Sequence, residues 1–265
     1  MKSFLTILAL CASMAICMAQ TSLKASEQAV GQDALLKNRI KINLSSLVLN
    51  NYSLSYERSV SRKMSVVGGY SILPTSKIGD LAFAQHLADR YLEENNEFRN
   101  KLDEANFSNK AYTGELRYYT GKHDGLRGLY LAAYGRYTTM NFDYLDNYDP
   151  MLGEDIPLPY KGKFNGVGGG LMVGAQWLLT KRLSLDWYII GAHYGKTSGD
   201  ITVTQDFSRL SESEKRALEA DIEERFTVAD RKLIEATITN EGGHGKVDAP
   251  FVGFRGLGVN LGFAF

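Results

Sequence analysis

The 265-residue chain carries 30 basic and 30 acidic side chains, so no net charge marks it for nucleic acid. A mean hydropathy of −0.21 is too polar for a bundle of membrane helices, and no uninterrupted apolar run of about 18 residues follows Ala19, which excludes a spanning helix. Membrane-crossing strands escape both tests, because every second residue is free to be polar. The 26 glycines and 15 tyrosines against five prolines suit such strands.

Residues 1–19 read as a secretory signal peptide. Lys2 precedes the apolar run Phe4–Ala12, which continues in diluted form to Met18, and Cys17-Met18-Ala19 offers small residues at −3 and −1, so cleavage is expected after Ala19. A retained helix would need about 20 apolar residues and a stop-transfer flank. A lipoprotein acylated at Cys17 is opposed by bulky Ile16. Both cysteines, Cys11 and Cys17, fall in this segment. The exported chain would have no disulfide framework, thiolate metal site or cysteine nucleophile, and one net negative charge once Lys2 is gone.

Residues 20–38 are a polar lead-in on the periplasmic side, and a single domain is expected over 39–265. The first strand, 39–49, sets Ile40, Ile42, Leu44 and Val48 against Lys41, Asn43 and Ser45, and Asn50-Asn51 turns the chain. The second, 52–60, sets Tyr52, Leu54 and Tyr56 against Ser53, Ser55, Glu57 and Ser59. The third, 64–73, carries Met64, Val66, Tyr70 and Ile72 on one face. An insertion over 74–109 follows, with Leu81, Ala84, Leu87, Ala88, Tyr91, Phe98, Leu102 and Ala105 at helical spacing.

The fourth strand, 111–120, alternates Tyr112, Leu116 and Tyr118 with Glu115, Arg117 and Tyr119. The fifth, 128–144, alternates Leu129, Leu131, Ala133 and Tyr137 with Tyr130, Tyr134 and Arg136, before a polar loop containing Pro150, Pro157 and Pro159. The sixth, 163–179, sets Val167, Leu171, Val173, Ala175, Trp177 and Leu179 against Gly168, Gly170, Met172, Gly174 and Gln176. The seventh, 183–196, sets Leu183, Leu185, Trp187 and Ile189 against Ser184, Asp186, Tyr188 and Ile190. A second insertion, 197–246, holds the capping box Ser211-Glu-Ser-Glu214, followed by Ala217, Leu218, Asp221, Ile222, Arg225 and Phe226 at helical spacing.

The eighth strand, 248–265, is the most telling. Leu257, Val259, Leu261, Phe263 and Phe265 share one face, and Gly256, Gly258, Asn260, Gly262 and Ala264 the other, and the chain stops on an aromatic. A soluble terminal strand tends to fray. A lipid-facing strand wants this pattern, and such a strand would serve the barrel-assembly machinery as its recognition element.

Connections are long after strands three, five and seven and short after two, four and six, the asymmetry of an outer-membrane barrel with periplasmic turns and outer loops. The expected fold is therefore all-β: an up-and-down antiparallel eight-stranded transmembrane β-barrel with two helix-containing outer-loop insertions. A soluble sandwich or lipocalin-like barrel would instead need Trp177, Leu179, Trp187 and Phe263 to meet a core.

On this register the lumen holds Lys41, Glu57, Glu115, Arg117, Arg136 and Asp186, three of each sign. Eight strands leave an interior that side chains fill, and buried charges must pair, so a salt-bridge network is expected there, with a narrow ion path as the alternative. His86, His123, His193 and His244 have no metal-ligand spacing. His193 and His244 could approach at the outer rim beside Ser198, Asp200 or Asp206, the one constellation suggesting a surface hydrolase or acyltransferase. Gly166-Val-Gly-Gly-Gly170 lies within a strand and lacks the Lys-Ser/Thr of a phosphate loop. The two amphipathic insertions either lid the mouth together or offer a groove to a partner protein, glycan or lipid.

Arg39–Leu49 with Tyr52–Arg58, Gly114–Tyr119 and Gly128–Tyr134 resemble small Bacteroidetes-type outer-membrane β-barrel proteins of the OmpA/OmpX-like transmembrane kind, over residues 39–265 apart from the insertions. The resemblance implies the fold and outer-membrane lipid as a partner, with no catalytic residue, metal or cofactor. The expected role is non-enzymatic: structural, or binding a surface protein or glycan through residues 74–109 and 197–246.

Overall fold

The computed structural model describes residues 36–80, 105–121, 125–148, 156–225, 227–228 and 231–265. The signal peptide, most of the lead-in, the helical stripe expected over Leu81–Leu102, and His86, His123, Pro150 and Phe226 lie outside these residues.

Eight strands close into an up-and-down antiparallel ring: β1 (Asn38–Asn43), β2 (Tyr52–Ser59), β3 (Met64–Lys77), β4 (Asn106–Tyr119), β5 (Gly128–Tyr148), β6 (Ile156–Leu178), β7 (Leu183–Val203) and β11 (Gly243–Ala264), with β11 pairing back onto β1. A ninth strand, β10 (Ile234–Ile238), pairs with the far end of β11. Between β7 and β10 lie the helix α2 (Glu212–Arg225) and the two-residue strands β8 (Thr227–Val228) and β9 (Arg231–Lys232).

Alternation drives the fold. Side chains on successive residues face opposite sides of each strand, and here the apolar set faces outward. Ile40, Ile42, Leu54, Leu116, Leu131 and Leu171 are exposed, while Lys41, Glu57, Glu115, Arg117 and Asp186 are buried within.

Three sequence expectations are corrected. The first strand stops at Asn43. Its side-chain oxygen accepts the Ser46 N–H at 2.9 Å and caps the short helix α1 (Leu44–Val48), so Leu44 and Val48 belong to a helical turn. Strand β1 is therefore short, and β11 runs past it. The insertions are also shorter than 74–109 and 197–246, because β3, β4, β7 and β11 extend into both. Likewise Pro157 and Pro159 lie within β6, opposite Asn147 and Leu145. They sit beyond Val203, where pairing with β7 ends, so β6 is there an edge strand that needs no proline N–H.

The third correction concerns phase. β7 carries an extra residue at Ile189 relative to β6, a β-bulge. Beyond it the inward set changes parity: Tyr188, then Gly191 and His193 face in, and Ile190, expected inside, is exposed. β11 shifts phase at Leu257, held at φ 55 between two glycines. Leu257 itself still faces outward, but Arg255 beyond it faces inward.

Past the end of the ring, α2 buries Leu218 against Leu158 and Val203 on the inward-facing side of the extended β6 and β7, and against Phe207, Leu210 and Ile238, with Tyr160 and Ile222 packed alongside. Its apolar stripe is thus covered by the extended walls and β10. The helical stripe of the first insertion lies outside the described residues, so of the expected lid only this helix's packing on the molecule's own strands is seen.

Candidate functional site: the charged interior

The inward face of the lower ring is a cage of charges. Lys41 Nζ on β1 stands 2.8 Å from Glu57 Oε2 on β2 and 2.6 Å from Asp186 Oδ2 on β7, and donates to Gln176 Oε1 on β6. Arg117 on β4 donates to Asp186 Oδ2 at 2.7 Å and pairs with Glu115 Oε2 at 2.6 Å. Tyr130 gives its hydroxyl to Asp186 Oδ1 at 2.8 Å, and Tyr119 and Ser65 give theirs to Glu57 Oε1 at 2.8 and 2.6 Å. The Arg117 guanidinium lies over the Tyr130 ring at 4.5 Å, where the ring's negative face attracts it. Glycine makes room for this: a Cβ at Gly174 would run into the Tyr130 ring.

Five of the six residues assigned to the lumen by alternation therefore meet: Lys41, Glu57, Glu115, Arg117 and Asp186. Arg136 does not join them. It stands further along β5, half-buried, with no ion-pair partner among the described residues. Two further cations complete the cage. Arg39 NH1 approaches Glu57 Oε2 at 3.8 Å, and Arg255 NH1 reaches Glu115 Oε1 at 2.5 Å and lies over Tyr188 at 4.4 Å. The interior balance is thus five cations to three carboxylates, not three to three. Arg39 shares the parity of Lys41 and was readable from it. Arg255 enters only because of the phase shift at Leu257, for which Gly256-Leu257-Gly258 is the sequence signal.

The arrangement suits cohesion more than chemistry. Every carboxylate is engaged by at least one cation at 2.5–2.8 Å. The pairs join β1, β2, β4, β7 and β11, so the cage ties distant strands across the ring. Such a network is worth most as a unit, since removing one partner strands another buried charge at about 3–5 kcal/mol.

The C-terminal residues Leu257, Leu261, Phe263 and Phe265 face outward and are exposed, with Val259 half-buried. Phe263 pairs with Ile40 and Leu261 with Ile42, and the Phe265 N–H donates to Asn38 O at 2.9 Å, so this segment closes the ring. The histidine constellation does not assemble. His193 is buried inside, its Nδ1 3.1 Å from the Tyr134 hydroxyl. His244 lies on the outward face of β11, exposed, 3.3 Å from Asp200. Among the described residues no group of three or more His, Cys, Asp or Glu side chains could hold a metal ion.

Comparison with curated proteins found no match. The family described as "Protein of unknown function (DUF3575)" matches residues 12–218, most of the chain, and the chain therefore belongs to that family.

Proposed function

We propose that this is a transmembrane β-barrel of the bacterial outer membrane, exported by its leader, with a plugged lumen and a non-enzymatic structural or surface-binding role. The observation that carries the reading is inverted polarity. Arg117 and Asp186 are 0% exposed inside the ring, while Leu171 is 72% and Phe254 82% exposed outside it. In water that arrangement exposes a large apolar surface, the mark of a membrane or partner contact.

The outward apolar belt runs over Leu129–Tyr137 on β5, Val167–Leu179 on β6 and Val252–Phe265 on β11. A tilted spanning strand needs about 9–11 residues, a length these segments supply. The belt has edges. On one side, the next outward positions beyond Tyr112, Tyr137, Val167, Tyr194 and Pro250 are Lys110, Thr139, Asn165, Lys196 and Asp248. On the other are the turns Ser61-Arg62-Lys63 and Thr180-Lys181-Arg182. Tyrosines 70, 112, 137 and 194 sit along the first edge, as interfacial girdles do.

Both ring termini and the short turns share the second edge, which is then periplasmic. Lipid is the first partner, and the barrel-assembly machinery meets the closing strand Leu257–Phe265. A surface protein or glycan would meet the polar face of α2, since its apolar stripe is already covered. No cofactor is invoked. A narrow channel is the weaker reading, because Lys41, Arg117, Tyr119, Tyr130 and Gln176 fill the cage.

The test is gel mobility of unboiled against boiled protein in detergent, with membrane fractionation. A heat-dependent shift in outer-membrane material is expected. A soluble periplasmic protein with no shift would overturn the reading.

A further inference from the structure

Above the cage the interior changes character. Following the hydrogen-bonded register around the ring from Arg136, the other inward positions are Ser55, Gly69, Thr113, Gly168, Gly195 and Phe251. Most are small, and all are half-buried. Arg136 thus projects into a hollow with no carboxylate to meet it among the described residues. Arg255 and His193 stand within electrostatic reach of it.

His193 supplies an independent sign. It is only 8% exposed, and its Nε2 has no hydrogen-bond partner among the described residues. Its ring packs at 4.7 Å from Phe251 and edge-on to Tyr134 at 5.9 Å. A buried polar atom without a partner costs free energy. The His193 ring lies within electrostatic reach of the uncompensated Arg136 guanidinium, in an interior with five cations to three carboxylates.

Further up, the inner wall becomes aromatic: Phe142 stacks on Tyr144 at 5.9 Å and Tyr144 on Tyr160 at 6.1 Å, with Phe164 on the same inward face of β6. These rings are half-buried, and Tyr160 packs against the cluster under α2.

We propose that the upper interior is a binding site for an amphiphilic anion, a carboxylate or phosphate head held by Arg136 with His193 and Arg255, and an apolar body lying against Phe251. This deepens the barrel reading and rests on it for access from the outer side. A guanidinium fork matches the geometry of either head group, and Ser55, Gly69 and Thr113 on the strands beside Arg136 are small.

The test is calorimetric titration of the folded full-length protein in detergent with inorganic phosphate, butyl phosphate and phenyl phosphate. At least one organic phosphate should bind tenfold or more tightly than inorganic phosphate. Arg136→Gln should weaken that binding at least tenfold, and Gly69→Leu should do so by filling the hollow, whereas Lys110→Gln on the outer face leaves it unchanged. Preference for the butyl group points to a lipid-derived ligand, and for the phenyl group to an aromatic one. The proposal is overturned by absence of binding to all three, by Arg136→Gln binding like wild type, or by inorganic phosphate matching the organic probes. Heat-shifted mobility of the same preparations separates failure of the site from failure of the barrel reading.

Discussion

Arg117 and Arg136 stand on neighbouring strands, both face the interior, and they are held in opposite ways. Arg117 has carboxylates at 2.6 and 2.7 Å and tyrosine rings beneath it. Arg136 has small residues around it and no acid among the described residues. The first is a structural charge, its desolvation offset by partners. The second is a charge kept available. One ring therefore combines a lower half whose acids are paired across the strands, which fixes its shape, with an upper half where Arg136 and His193 Nε2 have no partner among the described residues.

The largest test of that contrast is Asp186→Ala. It would take one of two close carboxylates from both Lys41 and Arg117, and the acceptor from the Tyr130 hydroxyl, and a loss of about 3–5 kcal/mol is expected in urea unfolding from micelles. In the outer unit, Leu218→Ala should cost about 2–5 kcal/mol, but locally. Amide exchange in α2 and β10 should accelerate while the ring strands keep their protection, and global acceleration would erase the division between ring and extension.

On the outside of the ring, Leu171→Arg should cost about 2–4 kcal/mol in a bilayer. An effect within about 0.5 kcal/mol, as at an ordinary wet surface, would count against lipid contact. Arg136→Gln should change stability by less than about 1 kcal/mol, because no buried partner is abandoned. A loss matching that of Asp186→Ala would dissolve the contrast between the two halves.

The smallest effect concerns pH at the start of α2. Ser211 donates its hydroxyl and its backbone N–H to Glu214 at 2.7 Å each, and these bonds hold the Glu214 carboxyl below its ordinary value. A depressed carboxylate stabilises above its unfolded value, near about 4.3, and that contribution is lost as pH falls through the lower folded value. Amide protection in the first turn of α2 should weaken over that acid range, and Glu214→Gln should flatten the dependence.

Much of this was legible because a strand's period of two is strict. Ile40, Leu54, Leu116 and Leu131 against Lys41, Glu57, Glu115 and Arg117 assign faces without any tertiary information. The antiparallel up-and-down order follows from the run of strands and turns. What alternation could not see is where its own phase breaks. The bulges at Ile189 and Leu257 exchange Ile190 for Gly191 and bring His193 and Arg255 inside, so the upper interior escaped a reading that carried one parity along each strand. Residues 44–49 read as strand because the turn-in depends on Asn43 capping the Ser46 N–H. The ninth strand, Ile234–Ile238, is short and has a partner only because β11 overruns β1, a consequence of ring geometry that no local pattern encodes.

The central claim is that the apolar outer face meets lipid while the inner face is filled by charges. Spin labels at Leu171→Cys and Met172→Cys, in a background without Cys11 and Cys17 and reconstituted in vesicles, test it most directly. The label at 171 should be open to dissolved oxygen and shielded from an aqueous nickel reagent, and the label at 172 shielded from both. Free access of the nickel reagent to position 171 would contradict the account.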